Sequence, residues 1–296
     1  MITVDVIIAT YNRAESLRRL LASLKAAEVP AGMRIRLTAV DNRSTDHTKS
    51  VIEEAGVPYL YEPQQGQSAA RNAGLARASA DWVAFFDDDE SVSPSWFAIA
   101  ERAIHEHPSA QFFGGPYRAV WPTKLPSWVT PELRFLLGDY DFGPEQMRYD
   151  GSFPGVLPGG NCLVRRDLFK VTGPYDTRIG HVAGRPIGND DTEMYHRLLA
   201  SGAEGWYIPD LSVKHFIPDT RLRKSYARRL KLCGGIAMGM IDRWQEPPVA
   251  RVAGIPRYIL GDLVRGLRRR SLFESELLLW YAAGFARGRR IEGDNA

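Results

Sequence analysis

The chain has 296 residues, of which 44% are hydrophobic and 25% charged, and a formal net charge of +3. That balance describes a globular protein of one large or two smaller domains; it excludes a mostly disordered chain, and so small a charge gives no ground by itself for a nucleic-acid partner. Cys162 and Cys233 lie far apart with no CxxC pairing, which excludes a disulfide framework and a thiolate metal site.

The start, MITVDVIIAT, enters a strand pattern with no basic n-region and no small-residue cleavage site, and no run approaches the roughly 20 apolar residues of a membrane span. A cytoplasmic protein is expected, at most peripheral on the inner face of a membrane. Val4 to Thr10 predicts the first strand, and Asn12 with Glu15 the N-cap and N3 of a helix over Ala14 to Ala27. Ile35 to Val40 predicts a strand ending at Asp41. Ser44 is placed to cap a helix ending near Gly56, Val57 to Tyr61 reads as a third strand, and Ser68 as the cap of a helix through Arg77. Trp82 to Phe86 predicts the fourth strand, with Pro94 opening a helix to about His107.

Strand and helix alternating in this way imply a mostly parallel sheet with helices on both faces. Ligands bind such sheets at the carboxyl ends of the strands, so Thr10, Tyr11, Asp41 and the acids Asp87 to Asp89 are expected on one rim. From about Val120 to Ser152 the chain turns irregular, rich in Pro, Gly and aromatics, which points to a functional segment. GGNCLVRRDLF then reads as strand into helix, IGNDDTEMYHRLLASG as a helix with an acidic start, and the chain from about Arg221 as basic amphipathic helix. Three consecutive parts are expected: 1–118, 119–220 and 221–296.

The first turn, ATYNRAES, has no glycine for close approach of a pyrophosphate, which disfavours a Rossmann dehydrogenase, and no GxxxxGK[ST] is present. Asp87 and Asp89 alternate along an extended segment and so share a side, where hard cations such as Mn2+ or Mg2+ suit their oxygens; the plainer reading is an acidic surface turn. Arg71 falls in a first helical turn, where a cation is disfavoured. Either a phosphate or the acid cluster offsets it, or its head lies in water. Asp191, at a helix start beside Asp190 and Glu193, is either a base for a hydroxyl proton or an ordinary first-turn acid. His215 is either a third metal ligand or structural. Among the aromatics, Trp128 and Trp206 have the most loop-like surroundings and are the preferred candidates to stack on a ligand ring.

ATYNRAESL, VDNRSTD, GQSAARNAGL, FFDDDE and GNDDTEMYHRL, in this order across residues 2 to 215, resemble the motif set of the family 2 glycosyltransferases. The resemblance implies an α/β fold of GT-A type and a nucleotide-diphosphate sugar donor lined by Thr10, Tyr11, Asn12, Asp41, Arg71, Asp87 and Asp88. Asp87 and Asp89 match the family's DxD motif, with Asp89 as direct ligand of Mn2+ or Mg2+ and His215 often beside it. Asp191 aligns with the catalytic base, Asp190 stands where glutamate is usual, and Asn161 is expected on the acceptor side or in support. The implied reaction is an inverting, metal-assisted transfer to a sugar or lipid-linked acceptor in cell-surface polysaccharide or glycolipid synthesis. A nucleotidyltransferase typically carries a basic Gly-rich loop that ATYNRAES lacks; a non-catalytic nucleotide-binding protein would tolerate loss of Asp191.

Arg221, Arg223, Lys224, Arg228, Arg229 and Lys231, then Arg265 to Arg270 beside Leu277 to Phe285, match a helix lying on anionic lipid. A solvated face over a core-packing or dimer-forming helix fits the same residues equally. No motif for reading nucleic acid accompanies the charge.

Overall fold

The apolar run Ile2–Thr10 forms β1, which lies inside an eight-stranded sheet. β2 (Met33–Asp41) and β4 (Trp82–Asp87) flank it in parallel, and β3 (Tyr59–Tyr61) continues beyond β2. The connecting helices are α1 (Ala14–Ala26), α2 (Thr48–Glu54) and α3 (Gln67–Arg77). Register sets Thr10 beside Asp41 and Ala9 beside Asp87, so the carboxyl ends of these strands form one rim, as the alternation predicts.

A computed structural model supplies this description for residues 1–182, 185–245, 250–252, 255–257, 261 and 271–291. They belong to two units interleaved in sequence. The first takes Met1–Val120, Gly138–Thr177 and Asp190–Ile217; the second takes Trp121–Leu137, Arg178–Asn189 and Pro218–Ala296.

After β4 the first unit adds β5 (Glu90–Val92), α4 (Trp96–Glu106), β6 (Phe112–Gly114) and β7 (Tyr117–Val120). Within the second, α5 (Pro131–Leu137) follows; the chain then returns through β8 (Met147–Arg148), β9 (Asn161–Arg165) and α6 (Phe169–Thr172). β10 (Gly180–Val182) and β11 (Arg185–Ile187) pair in the second unit, and α7 (Asp190–Ala200), β12 (Gly205–Tyr207) and β13 (Val213–Phe216) complete the first. The large sheet runs β3-β2-β1-β4-β9-β6-β12-β8. β9 is antiparallel to both neighbours, which makes the sheet mixed. A small sheet of β5, β13 and β7 sets His215 opposite Glu90.

β4 shows how the core is divided. Trp82, Ala84 and Phe86 enter the apolar cluster that holds Leu17, Trp96, Phe97 and Phe113, while Val83 and Phe85 enter the cluster with Phe112, Phe169 and Tyr207. A strand apolar on both faces is what a sheet covered on both sides requires.

Local starts differ from expectation in instructive ways. Asn12 does not cap α1: its φ is 51°, and its Oδ1 accepts the Thr45 N–H at 2.6 Å, tying two rim loops together. Asp46 does the capping, taking N–H groups of Ala14 at 3.2 Å and Thr48 at 3.0 Å, while Ser44 Oγ accepts the Asn12 N–H at 2.9 Å. α3 begins at Gln67 after Gly66, whose φ of 140° only glycine adopts freely, one residue ahead of the expected Ser68.

In the second unit, α8 (Lys224–Gln245) and α9 (Leu272–Gly288) touch backbone to backbone. A Cβ on Gly235 or Gly239 would run into the carbonyls of Tyr281 or Phe285, and one on Gly284 or Gly288 into those of Leu232 or Ile236. α9 opens on a capping box, with Glu274 N–H donating to Ser271 Oγ at 3.3 Å and Ser271 N–H to Glu274 Oε2 at 2.9 Å. Among the described residues no helix is long and apolar enough to cross a membrane. The basic run Arg265 to Arg270 lies outside the described residues.

Candidate active site

Asp87 ends β4 and Glu90 opens β5, so the acid run forms the turn between two strands. It is not a solvated turn: Asp88 and Asp89 are each 6% exposed and Glu90 0%. Thr10 Oγ1 donates to Asp88 Oδ2 at 2.8 Å, and Arg13 Nη1 donates to Asp88 Oδ1 at 3.0 Å and Asp89 Oδ2 at 2.8 Å. Gln67 Nε2 and Arg71 Nη2 each donate to Asp87 Oδ1 at 2.8 Å. Burial, reinforced by Asp89 and opposed by Arg13, raises the Asp88 carboxyl to about 6. Burial beside Asp87 and Asp89 pushes Glu90 well above the usual carboxylate range, and Glu90 Oε1 is buried without a hydrogen-bond partner.

Arg71 is 3% exposed, and its other nitrogen, Nη1, donates to Asp190 Oδ2 at 2.7 Å. The compensation for a cation at a helix start is therefore carboxylate on two sides. Asp190 opens α7, and Asp191 follows it, half-buried, with Oδ1 accepting the Thr192 N–H at 2.7 Å. Burial and then the Asp190 charge, against Arg71, raise Asp191 to about 6. They outweigh the helix dipole, which acts the other way.

The residues expected to line a donor are already engaged with protein. Asp41 accepts the Ser44 N–H at 2.8 Å through Oδ1 and the Tyr59 hydroxyl at 3.0 Å through Oδ2, and Thr10 spends its hydroxyl on Asp88. Tyr11 is half-buried and Asn12 exposed beside them.

His215 bears on whether the residues present suit a cation. Its Nδ1 lies 2.7 Å from the Gly138 carbonyl, which only accepts, so Nδ1 carries the hydrogen. In the neutral ring the Nε2 lone pair then faces Asp89 Oδ1 at 3.5 Å, an arrangement that a metal-ligating histidine held by a backbone carbonyl also has. Five carboxylates, Asp87 to Asp89, Asp190 and Asp191, with Glu90 beside them, stand against the guanidiniums of Arg13 and Arg71. Hard oxygen donors in negative excess beside an imidazole suit Mn2+ or Mg2+. Among the described residues no three His, Cys, Asp or Glu side chains are grouped to hold a metal ion, so protein would supply a minority of the ligands.

Three residues expected on the acceptor side or in support are committed to contacts within the protein. Trp206 lies in β12, not in a loop; its ring stacks on His107 at 4.0 Å between centroids, and Nε1 donates to Glu204 at 2.9 Å. Trp128 packs edge-on to Phe273 at 5.2 Å among Leu133 and Leu277 in the second unit. Asn161 is 0% exposed, accepts from Trp96 Nε1 at 3.0 Å and donates to the Leu211 carbonyl at 2.7 Å, so it braces the floor of the site and has no face for an acceptor.

Sequence reasoning missed Arg13, Gln67 and the pair Gly159–Gly160. A Cβ on Gly159 would stand 2.8 Å from Arg71 Nη1, and one on Gly160 would stand 2.7 Å from Glu90 Oε1 and against the Asp87 carboxylate. Adjacent glycines just before a buried strand are a signal of such close approach. Arg13 lies inside the ATYNRAES run.

The sequence model of glycosyl transferase family 2 matches residues 5–173. The uncharacterized glycosyltransferase Rv0539 of Mycobacterium tuberculosis is 37% identical over 252 residues, covering 82% of this chain and 96% of that one. The succinoglycan biosynthesis protein ExoM of Rhizobium meliloti is 25% identical over 245 residues, covering 80% of this chain and 74% of its own. The mannosyltransferase PcManGT of Pyrobaculum calidifontis, solved with GDP-Man and Mn2+, superposes with a TM-score of 0.63 at 15% identity over 97% of this chain and 87% of that one, a likeness of fold.

Proposed function

The chain belongs to glycosyl transferase family 2, and from that premise we propose that it moves a sugar from a nucleotide-diphosphate donor to an acceptor hydroxyl with inversion at the anomeric carbon. The observation that carries this reading is the Arg71 bridge, which ties the acid cluster at Asp87 to Asp190, the neighbour of Asp191.

In the proposed reaction Asp191 takes the proton of the acceptor hydroxyl as its oxygen bonds to the anomeric carbon. The bond to the diphosphate breaks on the opposite face, and the nucleotide leaves with that electron pair. A carboxyl raised to about 6 is a stronger base than an ordinary aspartate and still ionised at neutral pH. Thr10, Tyr11, Asn12 and Asp41 line base and ribose, with Asp87 and Asp88 on the ribose side. Asp89 and His215, with Asp87, are the residues that would hold Mn2+ or Mg2+, and such an ion would supply positive charge to the leaving diphosphate. PcManGT, solved with Mn2+, supports a divalent ion, and likeness to a succinoglycan biosynthesis protein supports a role in surface polysaccharide or glycolipid synthesis.

The test is incubation with UDP-, GDP- and dTDP-sugars with and without Mn2+, reading nucleotide release. Metal-dependent release that survives Asp191→Asn would remove Asp191 as base. Failure of every donor to bind would remove the reading itself.

A further inference from the structure

α9 carries more apolar surface than its packing uses. Its side toward α8 is filled by Phe273, Leu277, Gly284, Phe285 and Gly288, all buried. Because the two helices approach through glycines, much of their contact is backbone on backbone and needs few large side chains. Yet Leu272 is 93% exposed, Leu279 60% and Trp280 38%. Among the described residues nine large apolar side chains are exposed, and these three lie within a nine-residue stretch of one helix. Leu272, Leu279 and the exposed Ala283 recur at seven and four residues, so they form one stripe, with Trp280 on its flank.

The charge around this stripe is mostly basic: the one acid within it, Glu276, accepts from Trp280 Nε1 at 3.0 Å and is paired with Arg228. Arg268, Arg269 and Arg270 precede the helix in sequence, Arg287, Arg289 and Arg290 end it, and residues 218–296 hold 16 Lys and Arg against 8 Asp and Glu. Exposed Arg223, Lys224 and Arg229 lie at the start of α8, in the same unit. An acidic or neutral partner surface answers that charge, and a second copy of so basic a segment does not. A leucine stripe with a tryptophan at its edge and arginines at both ends is the pattern of a helix lying in the headgroup boundary of a bilayer.

We propose that the Leu272–Leu279–Trp280 face of α9 docks on an anionic lipid surface. The proposal does not rest on the glycosyl-transfer reading, since it uses none of those residues.

Full-length protein is floated with phosphatidylcholine vesicles with and without phosphatidylglycerol, at low and high salt. Co-flotation only with phosphatidylglycerol, weakened by salt, is expected. Leu272→Glu with Leu279→Glu and Trp280→Glu should lower the vesicle-bound fraction at least about tenfold, since each step removes a large apolar group from the lipid. The milder Leu279→Ser should lie between, with the circular dichroism of both variants unchanged. Binding to neither vesicle, or equal binding of the triple variant, would overturn the proposal. So would a wild-type dimer in sedimentation velocity that the triple variant dissolves while vesicles bind neither protein, because the face would then belong to a second copy.

Discussion

Arg71 and Asp190, 119 residues apart in sequence, meet at 2.7 Å between Nη1 and Oδ2, and each side chain is only 4% exposed. The same guanidinium holds Asp87 at 2.8 Å. One planar fork thus fixes the end of β4 against the start of α7, which sets the acid cluster relative to Asp191.

Removing that fork leaves two buried carboxylates without their countercharge. Arg71→Met should cost about 3–5 kcal/mol in the urea unfolding free energy. Arg71→Lys should recover less than half, because a single ammonium cannot reach both acids in the guanidinium geometry. Nucleotide release should fall in both, and more steeply than stability alone accounts for, since Asp191 loses its register with Asp87.

Asp191, raised to about 6 by burial and by Asp190, has to be ionised to accept a proton. The rate at saturating substrates should therefore fall tenfold per pH unit below about 6, well above the range of an ordinary aspartate. Asp191→Asn should abolish that limb and cut turnover by roughly 10²–10⁴ while the KM for donor stays within a few-fold. A limb unchanged in the variant would assign the ionisation to another group.

The same shifts set the pH dependence of stability in the metal-free protein. Asp88 and Asp191 hold their protons more tightly folded than unfolded, so protonation stabilises the fold. Their contribution is fully present below the ordinary aspartate range near 4 and is lost as the pH rises through about 6. Asp5, drawn down by Arg36 against its burial, and the exposed Asp167, drawn down by Arg165, act in the opposite sense, but only at still lower pH. In chelator the melting temperature should rise by several degrees from about pH 7.5 to about pH 5, and Asp88→Asn should flatten the slope. Mn2+ should stabilise the protein more at the higher pH, and His215→Ala should remove most of that gain.

How much of this was legible depended on the length of each signal. β4 has six residues, an apolar pattern and a charged end, so strand, rim and acid cluster could all be read from it. Arg71 announced itself as a cation at the wrong end of a helix, yet its partners could not be named, since one of them lies across 119 residues of chain. Trp206 was misread because β12 has only three residues, beginning at Gly205, too few to show a period of two. Asn12 and Glu15 have the spacing of a cap, but a positive φ turns Asn12 toward Thr45, and local spacing carries no trace of that distant bond. Arg13 belonged to a recognised run and was passed over as part of it, although its charge was the obvious complement to the acids.

Gly159 and Gly160 offer a test that removes no polar group. A Cβ at Gly160 would stand 2.7 Å from Glu90 Oε1 and press on the Asp87 carboxylate, whereas one at Gly151 meets nothing within 4 Å. Gly160 is also held from behind, its N–H donating to the Tyr117 hydroxyl at 2.6 Å, so the backbone cannot back away freely. Gly160→Ala should therefore cost about 1–3 kcal/mol and weaken Mn2+ and donor binding together, because the acids must shift to admit the methyl group. Gly159→Ala, whose Cβ would crowd Arg71 Nη1 at 2.8 Å, should show the stability loss and lower turnover by displacing Asp190. Gly151→Ala should match the wild type in both. Equal behaviour of all three variants would mean that the two glycines serve only the turn into β9.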